Sequence, residues 1–139
     1  MAALAQDVLA RYPLNAATRA FLDRAGPMFI DGQWLKSKSG RTIDVFDPAT
    51  ARVIAQVADA DKADVDLAVR AARKALESPA WADMKPAGRE LLLLKLADAI
   101  EKNFDELAEL ESLNVGKLLF FSRMIDIGVG QHDHGRLAA

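Results

Sequence analysis

The chain has 139 residues, of which 51% are hydrophobic and 27% are charged, and its formal net charge is −2. These values are ordinary for a folded globular protein, so a single domain is expected and disorder across the whole chain is not. Acidic and basic residues are interspersed without a basic stripe, which argues against a nucleic-acid partner. No apolar run approaches the ~20 residues that a membrane span requires, so no membrane association is expected.

Cysteine is absent from the sequence. Its absence removes disulfides, thiolate nucleophiles and cysteine metal ligands together. The N-terminus also lacks the basic segment and continuous apolar core of a secretory signal. A cytoplasmic location is therefore expected.

Two weak helical patterns open the chain. Residues 2–12 place Leu4 and Val8 on one side, and Asn15 is positioned to cap a second helix that runs through Leu22. That helix is expected to end near Gly26. Residues 1–27 are therefore predicted to form a helical arm that packs on a larger body.

Residues 28–57 have the pattern of short antiparallel strands. Asp31 and Gly32 form a two-residue hairpin signal between the apolar segments 28–30 and 33–35. Further strands are predicted over 42–47 and 53–57, with a proline-initiated turn between them, although Phe46 interrupts the alternation. These strands are too few and too short to form a sheet that is covered on both faces. They therefore require another layer of secondary structure to pack on.

The segment 62–77 is predicted to be an amphipathic helix with a single apolar stripe. The stripe consists of Val65, Val69, Ala72 and Leu76. Asp59 or Asp61 is positioned to cap the helix, so the acidic residues around its start indicate capping rather than a catalytic carboxylate cluster.

A second helix is predicted over 86–104, with Pro86 in its first turn. Its apolar stripe consists of Leu92, Leu93, Leu96, Ala97, Ile100 and Phe104. Leu91 and Leu94 lie on the polar side instead, and Arg89 lies within the stripe. Two interpretations remain open. In the first, the leucines are ordinary exposed residues and Arg89 extends its charge to water. In the second, the helix has a second partner.

Trp81, between these helices, is interpreted as a buried packing anchor. A third helix follows, and Gly116 is expected to terminate it in the left-handed conformation. Its inward residues are expected to be Leu107, Leu110 and Leu113, and its solvated face Glu106, Glu109 and Glu111. These elements together predict an α+β fold, with short antiparallel strands followed by a layer of amphipathic helices.

Five features occur in a characteristic order and spacing: MFIDGQW, VFDPAT, VIAQVADADKADVDLAVRAARKAL, Trp81 and GRELLLLKLADAIEKNFDELAELESLNVGK. Over residues 28–123 this set resembles the N-terminal part of the aldehyde dehydrogenase superfamily. It looks closest to the phenylacetaldehyde and other aromatic aldehyde dehydrogenases. The resemblance implies the corresponding part of that fold, without its Rossmann core.

The resemblance also implies what the chain does not contain. In the family, the nicotinamide-binding core, the catalytic cysteine and the general-base glutamate all follow the matched region. NAD(P) there serves the oxidation of an aldehyde to a carboxylic acid. This chain has no cysteine and no Gly-rich strand-to-helix turn for a pyrophosphate. No catalytic, cofactor-binding or metal-binding residue is therefore assigned, and no cofactor is expected to bind the chain alone.

The chain is accordingly predicted to be an N-terminal fragment of an NAD(P)-dependent aldehyde dehydrogenase that is inactive by itself. Its expected partner is the remainder of an aldehyde dehydrogenase or a homologous subunit. The alternative is a non-catalytic interaction module that binds a dehydrogenase subunit or another protein.

Several departures from the family pattern bear on these expectations. Ala51 replaces a glycine after the 47–50 turn, so strain or rearrangement is expected there. Asn114 stands where some members carry an aspartate that binds an alkali cation, and a capping or turn role is favoured over a cation site. From Gly128 onward the family pattern is lost. Residues 28–127 are therefore assigned to the family-like region and 128–139 to an unpatterned tail, as in a truncated or frameshifted product.

His132 and His134 in this tail suggest a metal site, to which Asp133 could add an oxygen ligand. No third suitable ligand lies nearby in the sequence. A solvated tail is therefore the favoured interpretation.

Overall fold

The fold is α+β, as the sequence predicts, in a computed structural model that describes residues 9–24 and 26–128. The strands are β1 (Met28–Ile30), β2 (Gln33–Leu35), β3 (Thr42–Asp47) and β4 (Arg52–Ala58). The helices are α1 (Ala16–Arg24), α2 (Lys62–Glu77), α3 (Pro79–Ala82), α4 (Pro86–Lys102), α5 (Phe104–Val115) and α6 (Leu119–Phe121), and a π-helical segment (Ser122–Ile127) follows α6.

The first strand pair is the predicted hairpin. β1 and β2 are antiparallel, with Met28 opposite Leu35 and Ile30 opposite Gln33. Asp31 and Gly32 have φ angles of 51° and 77°. Two consecutive positive φ angles are what a two-residue type I′ turn requires, which explains why this dipeptide specifies the hairpin.

The second strand pair, β3 and β4, contains a β-bulge. Val45 lies opposite Ala55 and Phe46 lies opposite Val53, so Ile54 is an extra residue in β4. Ile54 and Ala55 are adjacent, yet both are buried, with 1% and 4% of their surfaces exposed. In a regular strand they would point to opposite faces, so the bulge allows both to enter the core. The interruption at Phe46 in the sequence marks this bulge.

The core lies where α1 and α5 pack on β3 and β4. Its buried apolar residues are Leu9, Leu22, Ile54, Ala55 and Leu113. The cap of α1 is the predicted one, because the side-chain oxygen of Asn15 accepts a hydrogen bond from the backbone N–H of Thr18 at 2.8 Å. The N-terminal segment therefore contributes to the same core as the strands.

Asp61, rather than Asp59, caps α2. Its side chain accepts hydrogen bonds from the backbone N–H groups of Ala63 and Asp64, and the side chain of Asp64 accepts one from the N–H of Asp61. This reciprocal arrangement is a capping box. Asp59 instead pairs with Arg41 at 2.9 Å. The acidic residues at this point are structural, as expected.

The C-terminal end of α5 is also the predicted one, because Gly116 has a φ angle of 72°. A Cβ atom at this position would lie 2.7 Å from Cγ of Pro48. Glycine is therefore required twice, for the left-handed conformation and for the close approach to the β3–β4 turn.

The predicted apolar stripes of α2 and α4 are not buried within the described part of the chain. Val65, Val69 and Leu76 are each more than half exposed, and α4 has no buried residue at all. Among the described elements, α4 contacts only α5 substantially, and α2 contacts only β1 and α3. Their apolar sides therefore face outward.

Trp81 is also exposed, at 40%, so its interpretation as a buried anchor was wrong. The guanidinium of Arg89 lies over its ring, 5.1 Å from the ring centroid. This contact keeps the charge of Arg89 at the surface and explains its position within an apolar stripe.

Several residues named from the sequence lie outside the described residues. They are Leu4 and Val8 of the first predicted helix and His132, Asp133 and His134 of the tail. Of the predicted segment 2–12, the residues from Leu9 onward are described, and Leu9 is buried.

Replacing Ala51 by glycine is expected to stabilise the protein. The predicted turn is retained, and Ala51 holds a φ angle of 54° in it. An L-residue is strained in this conformation and glycine is not, so Ala51→Gly should raise the free energy of unfolding by about 0.5–1 kcal/mol. Urea denaturation measures the change.

Ala49 is the matched control, because it lies in the same turn without a positive φ angle. Ala49→Gly should lower the free energy of unfolding by about 0.5–1 kcal/mol, since it adds only freedom to the unfolded chain. Equal effects of the two glycines would contradict strain at Ala51.

Candidate interaction surface

A buried carboxylate, Asp47, connects the N-terminal segment to the β3–β4 turn. Only 2% of its surface is exposed. Its Oδ2 accepts hydrogen bonds from the hydroxyls of Tyr12 at 2.9 Å and Thr50 at 2.7 Å, and its Oδ1 accepts one from the N–H of Ala49 at 3.0 Å. The N–H of Ala51 donates to the backbone oxygen of Asp47 at 2.8 Å. One side chain therefore both fixes the turn and holds Tyr12.

The protonation of this cluster is set by burial and hydrogen bonding. Burial raises the pKa of Asp47, but the hydrogen bonds from Thr50, Ala49 and Tyr12 together outweigh it, so the pKa lies below its usual value. The hydrogen bond to Asp47 raises the pKa of Tyr12, and burial and the neighbouring charge act in the same direction. Asp47 is therefore a weak base and Tyr12 a weak acid. The pair suits a structural connection better than proton transfer.

A second buried carboxylate, Glu109, holds the start of α1 against α5. Its Oε2 accepts hydrogen bonds from the backbone N–H of Asn15 at 2.9 Å and from the hydroxyl of Thr18 at 2.7 Å. Only 6% of Glu109 is exposed and Thr18 is fully buried. The expectation that Glu109 belongs to a solvated face was therefore wrong. Its spacing of four residues from the buried Leu113 was the available signal, but its partners lie more than 90 residues away in the sequence.

A cavity of about 280 Å³ lies between Asp47 and Glu109. Its polar lining includes Tyr12, Asp47, Glu109, Ser112 and Lys117. The ammonium of Lys117 is already engaged, at 2.6 Å from Asp126. Within residues 9–24 and 26–128, no group of three or more histidine or acidic residues is arranged to hold a metal ion. The sequence assigns no catalytic, cofactor-binding or metal-binding residue, and this remains a prediction.

Asn114 lies exposed in the last turn of α5. The helix ends two residues later at Gly116, which supplies the left-handed conformation. The capping role expected of Asn114 therefore belongs to Gly116.

Two helices of the described chain carry many exposed apolar side chains. We define the uncovered apolar surface as the exposed apolar side chains of α2 and α4. It consists of Val65, Val69 and Leu76 on α2 and of Leu91, Leu92, Leu93, Leu94 and Leu96 on α4. The exposed fractions of the five leucines range from 44% for Leu92 to 64% for Leu93. Monomeric proteins rarely expose contiguous apolar patches of this kind, so the surface is a candidate site for binding protein.

Two smaller apolar features lie elsewhere on the surface. Phe29 and Trp34 face each other across the hairpin with ring centroids 5.0 Å apart, and both are more than 60% exposed. A second set of exposed apolar side chains lies beyond Lys117, and it comprises Phe120, Phe121, Met124 and Ile125. None of the helices in the described ranges is long and apolar enough to cross a membrane.

Comparison with known proteins agrees with the resemblance seen in the sequence. The family model described as "Aldehyde dehydrogenase family" matches residues 34–132. Phenylacetaldehyde dehydrogenase of Pseudomonas fluorescens is 48% identical over 101 residues, which is 73% of this chain and 20% of that protein. Aldehyde dehydrogenase 1 of Tanacetum cinerariifolium is 40% identical over 112 residues, which is 81% of this chain and 22% of that protein.

The fold is also similar to part of a solved aldehyde dehydrogenase structure. An aldehyde dehydrogenase from Bacillus cereus, solved in complex with NAD⁺, superposes with a TM-score of 0.82 at 40% identity. The superposition covers 88% of this chain and 26% of the Bacillus cereus chain. The chain therefore spans about a fifth of the length of the curated relatives it matches and about a quarter of this solved structure.

The stability contributed by Asp47 is expected to depend on pH. Its folded-state pKa lies below the ordinary value of 3.8, so the ionised carboxylate stabilises the fold above that pH. This contribution is lost as the pH falls through the folded-state pKa. At pH 7, Asp47→Asn should cost about 1–3 kcal/mol because it disrupts a buried set of hydrogen bonds. The cost should shrink below about pH 4.

Urea denaturation at pH 7, 5 and 3 measures this dependence. Asp44 is the matched control, since it lies on the same strand but is exposed and accepts a hydrogen bond from the exposed side-chain amide of Gln56. Asp44→Asn should change stability by no more than about 0.5 kcal/mol. A cost of Asp47→Asn that stays constant down to pH 3 would contradict the role assigned to its charge.

Proposed function

The chain belongs to the aldehyde dehydrogenase family, and we propose that it forms the N-terminal structural layer of such an enzyme without dehydrogenase activity of its own. The activity of the whole enzyme would be the NAD(P)-dependent oxidation of an aldehyde to a carboxylic acid. An aromatic aldehyde is the proposed substrate class, supported by 48% identity to a phenylacetaldehyde dehydrogenase.

The chemistry supports inactivity of the chain alone. Aldehyde oxidation by covalent catalysis adds a thiolate to the carbonyl carbon and forms a thiohemiacetal. A hydride then passes to the nicotinamide, and water hydrolyses the resulting thioester to release the acid. The chain has no cysteine to supply the thiolate. The three buried carboxylates of the described residues, Asp47, Asp64 and Glu109, already accept hydrogen bonds that hold the fold together.

The uncovered apolar surface is the observation that carries this proposal. Five leucines of α4 are exposed within a six-residue stretch, and no residue of this 17-residue helix is buried. A helix gains most of its stability in a protein from packing an apolar face. The proposed partner is therefore the remainder of an aldehyde dehydrogenase or a homologous subunit, which would cover the side of α4 that carries Leu92, Leu93 and Leu96.

A non-catalytic interaction module is the second candidate. It is favoured by the packed core around Ile54 and Leu113. It is also favoured by the buried carboxylates of Asp47, which holds Tyr12, and of Glu109, which holds the start of α1. These interactions are internal to the chain and would support folding without the remainder of an enzyme. In this case the same apolar surface would bind a partner without restoring any reaction.

We also propose a cytoplasmic location. The fold contains no disulfide, since the sequence has no cysteine, so its stability does not depend on an oxidising compartment. Fractionation of cells that express the chain would test the location.

An activity assay tests inactivity directly. The purified 139-residue chain, incubated with NAD⁺ or NADP⁺ and phenylacetaldehyde, should produce no NADH or NADPH, because no thiolate is available. The positive control is a small known amount of an active aldehyde dehydrogenase added to the same sample. Turnover that persists after a contaminating enzyme has been excluded would contradict the proposal.

A complementation experiment separates the two candidate functions. The chain is co-expressed with an aldehyde dehydrogenase polypeptide that lacks the matched N-terminal region. Co-purification with restored NADH formation would support the structural-layer proposal. Co-purification without activity would favour the interaction module, and the absence of any complex would contradict both.

A further inference from the structure

An aromatic cavity lies between the end of α1 and the β1–β2 hairpin. It has a volume of about 300 Å³. Three of the described residues that line it are half-buried and form its inner part: Phe21, Gly26 and Pro27. Three others are exposed and form its mouth: Arg24, Trp34 and Val57. The described lining is therefore mainly apolar, with a single charged residue at the mouth.

The walls of this cavity are held in place by other contacts. The backbone N–H of Ala58 donates a hydrogen bond to the backbone oxygen of Gly26 at 2.7 Å, which ties the segment after α1 to the end of β4. The ring of Trp34 packs against Phe29, with ring centroids 5.0 Å apart. Because α1, β4 and the hairpin each contribute a fixed wall, the cavity is preformed, as small-molecule sites usually are.

Arg24 supplies a positive charge at the mouth of the cavity. Its guanidinium lies 5.9 Å from the centroid of the Phe21 ring, so it is held beside the aromatic wall. Within residues 9–24 and 26–128, no carboxylate forms an ion pair with it. The adjacent Asp23 is exposed and is not among the lining residues. The hydrogen-bond donors of this guanidinium are therefore available to a ligand.

The chemistry of the lining selects the class of ligand. Aromatic rings pack favourably on one another, so Phe21 and Trp34 favour a ligand that contains a ring. A guanidinium donates paired hydrogen bonds to a carboxylate. A single positive charge in an otherwise apolar lining balances one negative charge, which favours a monocarboxylate over a phosphate dianion. A dry cavity of about 150 Å³ binds benzene, so a cavity of about twice that volume holds a benzene ring with a short side chain.

We propose that this cavity binds a small aromatic carboxylate, with its ring between Phe21 and Trp34 and its carboxylate on the guanidinium of Arg24. Such a ligand would cover Trp34, whose surface is 68% exposed. The ligand class is argued from the lining alone and does not rest on the proposed function, although oxidation of an aromatic aldehyde would release an acid of this class. Binding is measured on the chain alone and the proposed function by activity, so one can fail while the other holds.

An NMR titration of the full chain with phenylacetate tests the proposal. The chain has two tryptophans, Trp34 and Trp81, whose indole N–H signals are assigned with the variant Trp34→Phe. Phenylacetate should shift the Trp34 signal saturably, with a dissociation constant in the millimolar range or lower. The Trp81 signal should not move. Since Arg89 lies over the Trp81 ring, this signal controls for association of the ligand with any exposed pair of tryptophan and arginine.

Two analogues and one variant separate the roles of the ring and the charge. The alcohol 2-phenylethanol lacks the charge and acetate lacks the ring, so each should bind about tenfold more weakly than phenylacetate. Arg24→Gln should remove the preference for phenylacetate over 2-phenylethanol and leave binding of the alcohol unchanged. Arg70→Gln, at an exposed arginine of α2 outside the cavity, is the matched control and should keep the preference. A ratio of two affinities within one variant does not change when part of the sample is misfolded.

Several results would overturn the proposal. Phenylacetate that causes no saturable shift of the Trp34 signal, or that shifts the Trp81 signal equally, would show that the cavity is not a specific site. A preference for phenylacetate that persists in Arg24→Gln would show that the carboxylate binds elsewhere. Phenyl phosphate that binds more tightly than phenylacetate would contradict the assignment of a monocarboxylate.

Discussion

The packed part of this chain depends on two buried carboxylates. Asp47 holds Tyr12 and the β3–β4 turn, and Glu109 holds the first turn of α1. A buried carboxylate is costly unless hydrogen-bond donors surround it, so each fixes the position of the segments that supply those donors. The N-terminal segment thereby brings Leu9 and Leu22 into contact with the strand pair and α5. The bulge at Ile54 completes the contact by directing two adjacent side chains into the same core.

The molecule is divided into a side with this core and a side without one. On the first side, polar connections and apolar packing support each other. On the second side, α2 is capped by Asp61 and α4 begins with Pro86, so both helices are well specified locally. Their apolar surfaces nevertheless meet little else in the described chain. The sequence signals that specify these two helices therefore do not require the helices to be buried. The chain spans about a fifth of the length of its relatives, and the proposed remainder of an aldehyde dehydrogenase would supply the missing burial.

The two sides of α4 differ in the residues that they carry. The side with Leu92, Leu93 and Leu96 is the apolar stripe that an enzyme core would cover. The side with Leu91 and Leu94 combines leucines with charged residues of both signs, which are Glu90, Lys95, Asp98, Glu101 and Lys102. The first side is therefore the more apolar of the two.

The sequence by itself determined the local structure. Asp31 and Gly32 specify a hairpin, Asp61 and Asp64 a capping box, and Gly116 a helix end, because each depends on residues adjacent in the chain. The order of these elements was also enough to identify the family and the α+β fold. Only the tertiary structure decided which side chains are buried. Trp81 is exposed and Glu109 is buried, contrary to expectation, because burial depends on partners distant in sequence or absent from the described chain. Periodicity shows that a helix has an apolar side, but only the fold shows whether anything covers it.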